Sequence, residues 1–111
     1  MRSLKFSAHL VPLIESGEKT VTWRLFDDKF LETGDELSFI NKETGEEFGT
    51  AKITWVSLRT LGTLSDEDWE GHERFDTDEA MYEQYRKYYL GKDVGPDTAV
   101  KILTFEFTPK S

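Results

Sequence analysis

An α+β, mainly β fold is what this sequence predicts: a small β-barrel with flanking helices. Three observations carry that reading. Apolar, β-branched and aromatic residues alternate with period two over 20–25, 36–41, 47–58 and 98–108, as strands require. Helical signals are confined to 8–16, a short capped turn at 64–70, and 77–89. The resulting order of helix, strand, hairpin, helices and closing strand is not a regular βα alternation, which disfavours a doubly wound sheet.

Taken in order, Leu4 to Phe6 form a short opening strand. Ser7 is placed to cap a helix across 8–16, with Pro12 either in its first turn or marking where the regular part begins, and Leu10, Leu13 and Ile14 as the buried stripe. Gly17 ends that helix, because glycine enters the left-handed region without steric cost. The strand that follows puts Val21, Trp23 and Leu25 on one side and Thr20, Thr22 and Arg24 on the other. The first side reads as core and the second as chemistry. Lys19 is out of phase with Thr22 and Arg24 and joins them only if the turn after Gly17 redirects it.

Asp27-Asp28-Lys29 reads as a polar loop and Thr33-Gly34-Asp35 as a turn. Leu37 and Phe39 anchor the next strand. Lys42-Glu43-Thr44-Gly45 closes a hairpin into a long strand anchored by Phe48, Ile53, Trp55 and Val56. Ser65 caps the helical turn, whose first-turn acids suit the helix dipole. The second helix starts at Thr77 or Asp78 and stops at Gly91, with Met81, Tyr85 and Tyr88 as a stripe that reads as core. In the closing strand Leu103, Phe105 and Phe107 share one face and Val100 and Ile102 the other, so it belongs in the middle of a sheet.

Composition bounds the function. At 111 residues the chain is expected to be one domain spanning 1–111. It has no cysteine, which removes disulfides and thiolate metal sites and suits a reducing, cytoplasmic setting. No apolar run reaches membrane-spanning length. The net charge of −8 argues against sequence-blind binding to long nucleic acid, whose affinity comes from phosphate neutralisation. A cleft for one nucleoside or a few unpaired nucleotides survives that objection, because stacking and base-edge hydrogen bonds need little net charge. His9 and His72 lack spaced partner ligands and read as surface histidines, so no metal or other cofactor is expected.

The run Gly17-x-Lys19-Thr20-x-Thr22-x-Arg24, preceded by an amphipathic helix and followed by Thr33-Gly34-Asp35-Glu36-Leu37, resembles the ASCH domain, a small relative of the PUA fold. The resemblance covers nearly the whole chain and implies a PUA-like barrel. ASCH proteins commonly show Gly-x-Lys-x-x-Glu-x-Arg; here Thr22 stands in place of that glutamate, as in the bacterial N4-acetylcytidine amidohydrolase subgroup. The change exchanges a carboxylate for a hydroxyl, which the resemblance implies is a nucleophile.

Each candidate has two readings. Arg24 is either a planar fork for a phosphate, carbonyl or carboxylate, or half of a structural ion pair. Lys19 alone would be a solvated lysine; the resemblance sends it into a cleft. As a general base its pKa would have to fall from about 10.4 toward neutrality. Thr22 is by default a β-former and becomes a nucleophile only with a base in hydrogen-bond reach. Glu73 precedes Arg74 and Phe75, where similar proteins carry an acid before a Gly-Phe pair; Glu70 or Glu67 are the alternatives. Trp69 is the candidate base-stacking aromatic, with packing against the barrel as its other reading.

Three functions follow. The first is binding of RNA or a modified nucleoside by a monomer through Lys19, Thr22, Arg24 and Trp69. The second, implied by the resemblance, is hydrolysis of the linear amide of N4-acetylcytidine. In it Lys19 accepts the proton, Thr22 attacks and Glu73 protonates the leaving amine. The third is a protein-interaction module, which requires a shallow surface around Lys19.

Overall fold

The computed structural model describes residues 2–26, 30–72 and 74–110. The predicted loop at Asp27-Asp28-Lys29 and the candidate acid Glu73 lie outside the described residues.

Five strands form one mixed sheet, curled into a half-barrel: β1 (Arg2–Phe6), β2 (Val21–Leu25), β3 (Glu36–Asn41), β4 (Glu47–Thr60) and β5 (Ala99–Pro109). Their spatial order is β1-β3-β4-β5-β2. β1 runs parallel to β3 and the other pairs are antiparallel. β5 sits between β4 and β2, as expected of a strand apolar on both faces. The two strands at the ends of the order, β1 and β2, pair with one neighbour each. Arg24 spans the gap between them, its Nη2 donating to the Lys5 carbonyl at 3.3 Å.

Two short helices flank the sheet. The first segment is a 3₁₀ turn at Ala8–Leu10 continuing into α1 (Val11–Glu15), with Pro12 in the first turn. Ser7 precedes it without a side-chain capping bond; its carbonyl accepts from the Leu10 N–H at 2.9 Å instead. The capped turn at Asp66–Trp69 is 3₁₀ rather than α, with Ser65 and Asp68 capping each other's backbone N–H groups. α2 (Asp78–Tyr88) is capped by the Thr77 hydroxyl, which accepts from the Ala80 N–H at 3.1 Å.

The buried side chains form two clusters, and β5 divides between them. Leu103 and Phe105 join Leu4, Phe6, Leu10, Ile14, Leu37, Phe39 and Ile53 on one face. Val100 and Ile102 join Val21, Trp23, Leu25, Met81, Tyr82 and Tyr85 on the other. Phe39 is fully buried at the centre of the first cluster, with the rings of Phe6 at 4.6 Å and Phe105 at 5.0 Å.

Trp55 corrects an expectation. It is 64% exposed, not a core anchor. The pairing of β4 with β5 slips between Ile53, opposite Phe105, and Trp55, opposite Thr104. One inserted residue inverts the alternation, so Val56 turns inward and Trp55 outward.

Candidate functional site

A cavity of about 250 Å³ opens where the curled sheet fails to close, between the ends of β1 and β3, the edge strand β2 and the C-terminal half of α2. Lys19, Thr22 and Arg24 all line it.

Lys19 reaches this place through the turn that its sequence phase required. Gly17 adopts φ +85°, and the backbone doubles back so that the Lys19 N–H donates to the Leu13 carbonyl at 2.9 Å. The side chain then folds forward, and its Nζ donates to the Val21 carbonyl at 2.7 Å. Lys19 is 2% exposed, so its ammonium does not face bulk water. Thr22 is also buried, opposite Leu103 in the β2–β5 register.

Trp23 lines the cavity as well, although it leaves β2 on the other face. Because β2 is a terminal strand, side chains from both of its faces border the hollow beside it. The sequence reading assigns only the Thr22–Arg24 side to the site, whereas the cavity is lined from both sides of the strand. The same holds for the α2 stripe: Tyr85 is core, yet it borders the cavity with Tyr88 and Tyr89. The Tyr89 hydroxyl accepts the Leu25 N–H at 3.1 Å and so ties α2 to the edge of β2.

His72 is the residue that sequence reasoning missed. It is buried rather than on the surface. Its ring stacks on Trp23 at 3.8 Å and 18°, and its Nε2 lies 3.4 Å from the Tyr85 hydroxyl. The preceding Gly71 fixes this position. At φ +76° its carbonyl accepts from the N–H groups of Thr20 and Val21, and a Cβ there would collide with Thr20 Oγ1. The one sequence signal was a glycine directly before a histidine.

Trp69 does not line the cavity. It packs edge-on against Trp23 at 4.6 Å and carries the Arg74 guanidinium over its ring at 5.7 Å, which is the packing reading of this residue. His9 is exposed. Glu67 and Glu70 are exposed and do not border the cavity. Among the described residues no carboxylate lines it, and no group of three His, Cys, Asp or Glu side chains gathers as metal ligands would. Among the described residues, too, no helix is long and apolar enough to cross a membrane.

Arg24 forms no ion pair with a described residue. Its guanidinium lies 5.1 Å over the Phe6 ring, and its Nε is buried without a hydrogen-bond partner among the described residues. The Trp23 indole Nε1 is orphaned in the same way. The site is thus rich in donors and aromatic faces.

The chain is a mixed half-barrel with two short helices and a hollow at its open seam, and it has the fold of ASCH-domain proteins. It is similar to a DUF984 protein from Enterococcus faecalis V583 (TM-score 0.74, 16% identity, covering 98% of this chain and 81% of that one). It is also similar to the ASCH domain from Lactobacillus crispatus JV V101 (0.72, 18%, covering 92% and 72%). The ASCH protein from Zymomonas mobilis aligns with TM-score 0.65 at 15% identity, covering 94% of this chain and 65% of that one. No family model matches the chain, and no curated protein sequence matches it significantly.

Proposed function

We propose that the chain binds RNA or a modified nucleoside in the cavity beside β2. One observation carries this reading: a lysine and a threonine buried in a hollow of about 250 Å³ whose walls are the rings of Phe6, Trp23, His72, Tyr85, Tyr88 and Tyr89. Aromatic faces stack on any base, and buried polar groups discriminate its edge. The volume is just below the ~300–1,000 Å³ of drug-sized sites, so it suits one nucleoside rather than a duplex. Titration with short single-stranded RNAs and with N4-acetylcytidine is expected to move the NMR signals of Lys19, Thr22, Trp23 and Arg24. Unmoved signals with every ligand would sink the proposal.

A second reading, hydrolysis of N4-acetylcytidine, is favoured by Lys19 and Thr22 bordering the same hollow, both buried. Thr22 Oγ1 would attack the acetamide carbonyl while Lys19 takes its proton. The C–N bond would then break, with Glu73 protonating the cytidine amine. Water would hydrolyse the acetyl ester on Thr22 and release acetate. The expected products are cytidine and acetate, read by chromatography, and both vanish in folded Lys19→Ala and Thr22→Ala variants. Undiminished turnover in those variants would refute the assignment. The protein-interaction reading needed a shallow surface at Lys19, and the burial of that residue counts against it.

A further inference from the structure

The cavity is not uniform from mouth to floor, and the gradient specifies a ligand more closely than "nucleoside". At the floor, Lys19, Thr22, Trp23, His72 and Tyr85 are all buried. At the mouth, Lys5 and Lys42 are exposed and Arg24 is half-buried. Lys5 and Lys42 are brought together by the parallel pairing of β1 with β3, in which Lys5 lies opposite Ile40 and the Lys42 N–H donates to the Phe6 carbonyl at 2.8 Å. Arg24 arrives from the other side of the seam, over Phe6.

Three basic residues therefore line one opening in a chain whose net charge is −8. Among the described residues none of the three makes an ion pair, and no carboxylate borders the opening. Arg24 Nε and Trp23 Nε1 are buried donors still without described acceptors. Both atoms are closed to solvent, so the capacity open to a ligand lies with the exposed Lys5 and Lys42 and the rest of the Arg24 guanidinium. A single carboxylate would leave most of this capacity unused. A phosphate monoester carries a charge of about −1.5 to −2 and several strong acceptor oxygens, and it matches three converging cations better.

Resting on the nucleoside reading above, we infer that the ligand is a nucleoside whose sugar carries a phosphate, with the base among the floor residues and the phosphate held at the mouth by Lys5, Arg24 and Lys42. A free mononucleotide and the 5′-phosphorylated end of a single-stranded RNA share this chemistry.

The test is a parallel titration, followed by tryptophan fluorescence and NMR, with N4-acetylcytidine, its 5′-monophosphate, inorganic phosphate and a 5′-phosphorylated cytidine trinucleotide. The monophosphate is expected to bind about tenfold more tightly than the nucleoside at low ionic strength. That advantage shrinks with added salt, because exposed lysines are screened. In the double variant Lys5→Gln, Lys42→Gln the monophosphate-to-nucleoside affinity ratio falls toward one; both side chains are exposed, so the fold tolerates the change. A trinucleotide that binds more tightly than the monophosphate identifies the source as RNA; the reverse order identifies a free nucleotide. Equal affinity for nucleoside and monophosphate overturns this inference and leaves the nucleoside site standing. Binding of inorganic phosphate alone, with neither nucleoside form bound, overturns both, as does a ratio unaffected by the double variant for this inference.

Discussion

Where β1 and β3 meet α1, the buried side chains are leucine, isoleucine, alanine and phenylalanine; where β2 meets α2, they include indole, phenol and, through His72, imidazole. The first region needs only shape. The second carries polar tips that must be answered: the Tyr89 hydroxyl by the Leu25 N–H, Tyr85 by His72, and Trp23 Nε1 by no described residue. Polar-tipped aromatics combine large apolar burial with a hydrogen-bonding end. The difference teaches that a purely apolar core and a layer of polar-tipped aromatics occupy opposite faces of one sheet, and the cavity opens where they meet beside β2.

The largest expected effect breaks the dry side. Phe39→Ala leaves a phenyl-sized void with no way to collapse and should cost about 3–5 kcal/mol in denaturant unfolding. Ligand affinity of the fraction still folded should be unchanged. Gly71→Ala comes next. It forces a left-handed backbone on a residue with a Cβ and drives that Cβ into Thr20, so a loss of ~1–3 kcal/mol from strain alone is expected. Because Gly71 seats His72 on Trp23, ligand binding should weaken too, which Phe39→Ala would not reproduce.

Trp23→Phe sharpens the comparison from the other side. Lost packing is partly offset by removal of a buried N–H without a described partner, so the stability cost should be only about 1–2 kcal/mol. Ligand affinity should nevertheless fall. A Trp23→Phe protein with full affinity would show that the indole is core alone.

The smallest effect is alkaline. Burial first, and then Asp78 and Glu79, hold the Tyr82 hydroxyl above its ordinary value of 10.0. The folded state disfavours the phenolate, so this contribution to stability is present below about pH 10 and is lost as pH rises through the raised folded value. Melting temperatures measured across that range should fall less steeply in Tyr82→Phe.

Much of the architecture could be read from the sequence because each signal was local. Period-two runs located the long strands, Thr77 marked the start of α2, and the two-sided apolarity of β5 placed it inside the sheet. Trp55 was misread because a bulge is a two-strand property that one strand's alternation does not record. At the site, the gathering of Lys19, Thr22 and Arg24 was legible only with the turn at Gly17. His72 was not legible, since its burial depends on Gly71 fitting against Thr20, a contact between residues about fifty positions apart. Lys5 and Lys42 were not legible either: they meet through a parallel pairing, which leaves no turn motif in the chain.

One consequence follows from β5 lying between β4 and β2. The strand that carries Thr22 and Arg24 has no partner in the sheet until β5 has been synthesised, about eighty residues later. Contacts that distant in sequence form late, after the local hairpin of β3 and β4. The cavity should therefore form only after β5 has docked, and shortening the chain within 99–109 should erase the hollow even where the β3–β4 hairpin persists.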